Sequence, residues 1–213
     1  MTVTTPPSDQ AWQGPGHPGL FALLREDLRT VVERDPSIAG PVEALLHPAL
    51  PALWVHRFAH RRYRGGARLS ARLAMVLVRA VTGVEIHPGA RLGRRVFIDH
   101  GSGVVIGETA VVGDDVTIYH QVTLGALGWW RDNRRDDGER RHPMVGSGVV
   151  IGANASVLGP VSIGAGAVIG AHALVTDDMP AGARANAPAG SVRQGRATTA
   201  LDLLRHTASA GSW

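Results

Sequence analysis

The stretch IDHGSGVVIGE, residues 98–108, places an Asp-His pair, Asp99 and His100, where an otherwise regular sequence slips by two residues. A histidine titrates near neutral pH and can take a proton from a reacting group. A nearby carboxylate can hold the imidazole in one tautomer and stabilise its cation. Other groups able to do chemistry stand elsewhere in the chain: Glu85 in EIHPGA, Arg141 and His142 in RRHP, and Asp35 in ERDP. A guanidinium takes carboxylates, and carboxylates take ammonium groups. Each residue also has a plain explanation. Asp35 can be only a helix stop before Pro36, Asp99 can tie down a bulged corner, and Glu85 can sit solvated. Arg141 can be one more charge in a basic loop. Which reading holds depends on the elements that position these residues.

From residue 86 onward aliphatic residues recur every six positions. Ile86, Leu92 and Ile98 open the series; after the slip come Ile106, Val112, Ile118 and Leu124. After a gap of 21 residues the series resumes at Val145, Ile151, Val157, Ile163, Ile169 and Val175. Four positions on from most of these stands a small or apolar residue, and a glycine often follows directly. No helix has this period. A six-residue unit is one short strand plus one tight turn, three units make a triangular coil, and stacked coils make a parallel β-helix. The aliphatic side chain points into the prism, and parallel pairing between coils satisfies the backbone. The slip adds two residues at one corner. The gap carries GWWRDNRRDDGERRHP, too charged to enter the prism, and reads as an excursion loop over 126–143.

Before the coils the periodicity is helical. Residues 20–34 place apolar side chains at 20, 21, 24, 28, 31 and 32, and Asp35-Pro36 ends that helix. Two more helices are expected over 43–63 and 67–82, separated by Gly65-Gly66 and closed by Gly83; Pro48 and Pro51 must start or kink the first. The expected organisation is a flexible tail over 1–19, a helical module over 20–83, a β-helix over 84–190 and a C-terminal tail over 191–213.

Bulk properties narrow the class. The 213 residues are 44% apolar, enough for a folded chain with real cores. The net charge of +4 clusters at 57–72 and 131–141. It reads as a solvated basic surface that would favour anionic small ligands, rather than as a nucleic-acid site. There is no cysteine, so neither disulfides nor a thiolate metal site enter. The N-terminus lacks a secretory pattern and the longest apolar run, LAMVLV, is too short to span a bilayer, so no membrane contact and a cytoplasmic location are expected.

Three stretches are specific in combination. EIHPGARLG (85–93), IDHGSGVVIGETAVVGDDVTIYHQVTLG (98–125) and RRHP (140–143) resemble bacterial serine O-acetyltransferases of the hexapeptide-repeat acyltransferase family. ERDP (33–36) and HRFAHRRY (56–63) are similar to the same family, and the likeness covers roughly residues 20–190. The resemblance implies an α+β fold, with an N-terminal helical module followed by a left-handed parallel β-helix and one long excursion loop. It implies a homotrimer, possible pairing of two trimers through the helical modules, and an acetyl-CoA site in the groove between neighbouring prisms.

It also implies roles. His100 matches the family's general base, with Glu85 falling where the family carries an Asp that orients it. His142 matches a residue near the reacting centre. Asp35 and Asp99 would meet the amino group and hydroxyl of L-serine, and Arg141 with His142 its carboxylate. Coenzyme A would lie along the coils against the backbone at Gly125, Ala153 and Ala171, with Arg184, Arg193 and Arg196 available for its phosphates. The implied reaction is transfer of acetyl from acetyl-CoA to the serine hydroxyl by direct attack, the first step of cysteine synthesis, and it needs no metal. His87, His120 and His172 read as structural or solvent-facing.

Several features depart from the family pattern. Position 85 is Glu, the loop carries Trp129 and Trp130, and the last coil is followed by ANAPAGSVRQG. The chain ends ASAGSW rather than in the isoleucine tail by which many members dock into O-acetylserine sulfhydrylase, so that docking is not expected. These departures keep a second reading open, acetylation of a different small hydroxyl or amine in a specialised pathway. A third, a silent β-helix serving assembly, is opposed by the presence of both His100 and His142.

Overall fold

A computed structural model describes residues 18–128 and 139–190. Trp129, Trp130, Arg193 and Arg196 lie outside the described residues.

Helix α1 spans Leu20–Arg34, where the period placed it. Its C-cap, Asp35, is extended (φ −99°, ψ 104°), as a residue before proline must be. The buried face is rotated from the purely apolar one: it comprises Leu23, Asp27, Thr30 and Val31, while Phe21 is exposed. The expected second helix is instead two. Helix α2 is one turn, Pro41–Ala44, and α3 runs Leu50–Arg64 with Pro51 in its first turn. Pro48 breaks the segment between them because it has no N–H to donate and forces the residue before it out of the helical region. Helix α4, Arg68–Thr82, ends on Gly83, whose φ of +69° closes the helix and turns the chain into the coils.

Among the described residues fourteen short strands, numbered along the chain, form three parallel sheets. The first contains β1 (Glu85–Ile86), β4 (Val105–Ile106), β7 (Thr123–Gly125), β10 (Ser156–Leu158) and β13 (Leu174–Val175). The second contains β2 (Arg91–Leu92), β5 (Val111–Val112), β8 (Met144–Val145) and β11 (Ser162–Ile163). The third contains β3 (Phe97–Ile98), β6 (Thr117–Ile118), β9 (Val150–Ile151), β12 (Val168–Ile169) and β14 (Arg184–Ala185). The chain passes from sheet to sheet at each step, so the three sheets wall a prism. Twelve of the thirteen registered aliphatic residues are buried inside it; Leu92 is half-buried. Each such side chain contributes about 1.5–3 kcal/mol of apolar burial.

The register records where the repeat departs from 18 residues per coil. Glu85 pairs with Val105, a step of 20, and Val105 with Thr123, a step of 18. Thr123 pairs with Ser156, a step of 33, and Ser156 with Leu174, again 18. The last coil is short: Val168 pairs with Arg184, a step of 16, which the aliphatic spacing did not disclose.

The helices are clamped to the first coil by charge. Arg57 on α3 binds Asp27 of α1 through two nitrogens, at 3.0 and 3.2 Å. The same guanidinium donates to the carbonyls of Leu92 and Gly93, both at 2.8 Å. Both partners are buried, which explains why an Asp lies on the packed face of α1. Breaking such a buried pair by removing one partner costs about 3–5 kcal/mol. At the surface Arg94 pairs with Glu26, and Asp115 receives both Arg34 and Arg95. Helix α1, and with it Asp35, is therefore fixed against the coils.

Candidate active site

The corner between the third and first sheets carries Asp99 and His100. In the later coils this corner needs one left-handed residue: Gln121 (φ 58°), Asn154 (61°) or His172 (60°). The two extra residues change that. His100 itself is left-handed at 59°, followed by Gly101 at 73° and Gly103 at 72°. A side chain at Gly101 would meet Val84 Cγ2 at 2.7 Å and Ala49 Cβ at 3.0 Å, so glycine lets the start of α3 close on this corner. The widened turn pushes His100 outward, with its side chain 74% exposed, while Asp99 is 23% exposed beside it. His100 Nε2 lies 3.9 Å from Asp99 Oδ2, and its ring meets that of His120 edge-on, centroids 5.9 Å apart. Nδ1 of His120 is buried with no hydrogen-bond partner among the described residues, and its ring backs that of His100.

Asp35 faces the same corner. Its Oδ1 accepts from the Ser37 N–H (2.9 Å) and hydroxyl (2.6 Å), which hold its carboxyl below the ordinary range. His47, in the turn between α2 and α3, completes the group: its charge environment includes Asp35, Asp99 and His100. Sequence reading did not single out His47, because a lone histidine before a proline carries no motif.

Glu85 is not brought to His100. Its carboxylate pairs with Arg79 of α4 at 2.9 Å. A permanently charged guanidinium one turn from the end of the helix is a stronger partner for it than a neutral imidazole. The carboxylate next to His100 is that of Asp99.

Arg141 and His142 lie at a different corner, between the first and second sheets. Here the His142 ring lies over Gly107, where a Cβ would come within 2.0 Å of Cδ2. Thr109 fixes the ring. Its hydroxyl accepts from the N–H groups of Arg141 (2.8 Å) and His142 (3.1 Å), so its own proton is free for His142 Nδ1 at 2.9 Å. The Thr109 N–H also donates to Nδ1, at 3.1 Å. With two donors on Nδ1, the ring proton of neutral His142 is on Nε2. The side chain of Arg141 donates to Glu108 at 2.8 Å, and Tyr63 of α3 donates to the other Glu108 oxygen at 2.7 Å. Burial raises the Glu108 carboxyl, but the Tyr63 bond and the charges of His87 and Arg141 bring it below its ordinary value. Glu108, Thr109 and Gly107 were missed from sequence; the signal was their closeness to the slip, within GVVIGET.

Of the positions expected along coenzyme A, Ala153 and Ala171 are in the corner column below His100, where the Ala153 carbonyl accepts from the His172 N–H at 2.8 Å. Gly125 ends β7 on the first sheet, paired with Leu158. Arg184 is on β14, in the last coil.

Comparison with known proteins agrees with this architecture. The family model for the bacterial transferase hexapeptide (six repeats) matches residues 142–177. A serine acetyltransferase of Helicobacter pylori is 46% identical over 163 residues, 76% of this chain and 91% of the relative. This chain belongs to the serine acetyltransferase family. Its relative in Mycobacterium tuberculosis is 52% identical over 145 residues, 68% of this chain and 60% of that protein. The chain thus spans about three fifths of the length of some curated relatives it matches. Among solved family structures, the Neisseria gonorrhoeae enzyme in complex with serine superposes with TM-score 0.70 at 39% identity, covering 78% of this chain and 65% of that one. The Brucella abortus enzyme in complex with coenzyme A gives 0.72 at 35%, covering 79% and 65%. Among the described residues no helix is long and apolar enough to cross a membrane.

Proposed function

We propose that the chain is a serine O-acetyltransferase that moves acetyl from acetyl-CoA to the hydroxyl of L-serine. The observation that carries this reading is the division of the site between two corners of one prism. His100, Asp99 and Asp35 stand at one, and Arg141 and His142 at another, with the first sheet between them. One chain alone does not join them. A three-fold ring of prisms sets the first corner of one chain against the second corner of its neighbour, and each groove then holds a whole site.

In that groove Asp35 and Asp99 take the ammonium group and Arg141 the carboxylate. His100 removes the hydroxyl proton as the oxygen attacks the thioester carbonyl. The tetrahedral oxyanion collapses, the carbon–sulfur bond breaks, and the thiolate recovers the proton from the imidazolium. His142, with its proton on Nε2, is a donor for the developing oxyanion or the carboxylate. Coenzyme A lies along the coils past Gly125, Ala153 and Ala171, with Arg184 near its phosphates. Glu85 can orient His100 only by releasing Arg79. The coils are left-handed, the span 126–143, of which 129–138 lie outside the described residues, is the excursion from them, and the helical module over 20–83 packs on the first coil of the β-helix over 84–190. Two trimers pair through the helical modules. Leu69, Leu73, Val76, Leu77 and Val81 form one face of α4, 57–86% exposed, and give that pairing an apolar surface.

Initial rates of coenzyme A release with a panel of hydroxyl and amine acceptors test the activity, with sedimentation for the assembly. L-Serine is expected to be the preferred acceptor, and the particle a trimer or a pair of trimers. Preference for another acceptor, with serine at background, would remove the substrate assignment. A monomer with full activity would remove the shared groove.

A further inference from the structure

His47 is a buried histidine to which the proposed reaction gives no task. It is 5% exposed, in the turn that joins α2 to α3. Its ring packs on Phe97 with centroids 5.6 Å apart, and Phe97 leads directly into Ile98, Asp99 and His100. Two residues later Ala49 abuts the Gly101 turn. The ring is thus wedged between the acceptor corner and the end of α1 that bears Asp35.

Its two nitrogens are used differently. Nδ1 accepts from the Ala49 N–H at 3.4 Å, so the neutral ring carries its proton on Nε2. Nε2 has no partner among the described residues. It is not sealed off either: the buried side-chain atoms that lack a partner are Nδ1 of His56 and Nδ1 of His120. A buried ring with one open N–H, beside two carboxylates and a base, is built to meet an atom that arrives from outside. An N–H seeks an oxygen, and with the ammonium held by Asp35 and Asp99, the oxygens of the amino acid are what remains nearby.

We propose that His47 is an acceptor-binding residue whose Nε2–H is given to an oxygen of the bound amino acid. This rests on the amino-acid acceptor assigned above. Burial keeps the ring neutral against the pull of Asp35 and Asp99, so it contributes a directional donor without adding a cation to the ammonium site.

The test compares the full-length protein with His47→Phe, which keeps the packing on Phe97 but has no N–H, and His47→Gln, which keeps a donor at similar reach. Serine affinity by calorimetry should fall about tenfold in the Phe variant, the size of one hydrogen bond to a charged oxygen. The Gln variant should stay within about threefold of the parent. KM for serine should follow, with kcat and KM for acetyl-CoA little changed. In the parent, the ring 15N resonance of His47 Nε2 should move on adding serine, a readout that needs no variant to fold. If the parent binds serine but the resonance stays still, or the folded Phe variant binds equally well, the His47 assignment is wrong. If the parent does not bind serine at all, it is the acceptor assignment that fails.

Discussion

The two corners that flank the first sheet each carry a histidine, and the chain holds them in opposite ways. His100 stands on a turn widened by two residues, in a left-handed backbone, with most of its ring in solvent and a carboxylate 3.9 Å away. His142 is 8% exposed, lies against a glycine and takes two donors on one nitrogen. A base must gain and lose a proton each cycle, so an open ring with a loosely held partner suits it. A group that only donates is better fixed in one tautomer. The contrast in burial and bonding fits the different work proposed for two residues of one type.

Removing the base should produce the largest effect. His100→Ala should lower kcat by about 10²–10⁴-fold, with little change in melting temperature because the ring is exposed. Unchanged kcat would sink the distinction between the corners at once. Whether Glu85 serves His100 can be tested at the same time. Asp99→Asn should lower kcat/KM about tenfold to a hundredfold, whereas Glu85→Gln, already engaged by Arg79, should stay within about threefold. The reverse order would return the orienting role to Glu85.

At the second corner the glycine is the sensitive point. In Gly107→Ala the new Cβ cannot coexist with the His142 ring, which must move by an ångström or more. A displacement of that size costs about a hundredfold in kcat/KM when the group is catalytic. Stopped-flow or steady-state rates will read it; a Gly107→Ala enzyme of normal activity would mean that His142 is packing alone. Thr109→Val should act on stability instead. It strands the N–H groups of Arg141 and His142 and removes one of the two donors on Nδ1 of the ring, a loss of about 1–3 kcal/mol in chemical denaturation.

How much of this was legible in the chain depends on whether the signal was periodic. The coils were, since thirteen aliphatic residues in register leave one architecture, and the two-residue slip marks the widened corner. The two-residue contraction of the last coil was not, because it falls after the final aliphatic position at Val175. Asp27 was invisible for another reason. A charged residue reads as solvent-facing until its partner is known, and Arg57 is 30 residues away on another helix. Thr109 was missed for a related reason: nothing in the chain shows that a hydroxyl one corner beyond His100 meets His142, 33 residues later. Glu85 misled by position, since its distance along the coil said nothing of Arg79 on the helix behind it.

The smallest effect is expected from acid, and it should separate the buried histidines, His47 of the first corner included, from the exposed His100. Three histidines seat α3 on the second corner. Nε2 of His56 donates to the Ala90 carbonyl at 3.2 Å and Nδ1 of His60 to that of Pro88 at 2.9 Å, while His87 meets Tyr63 edge-on. Burial lowers all three; the neighbouring arginines and histidines add to this, with Glu108 opposing at His87. A histidine lowered in the folded state binds fewer protons than the unfolded chain. Its stabilising effect is complete above the ordinary value near 6.5 and is lost as pH falls from there through the folded value. Denaturant midpoints should therefore fall between about pH 6.5 and 5, and the fall should be shallower in His56→Gln, which keeps the bond to Ala90 without a titrating ring. His100→Gln should leave that slope unchanged, because its ring stands largely in solvent; an equal flattening in both variants would show that exposed and buried rings do not differ as their packing implies.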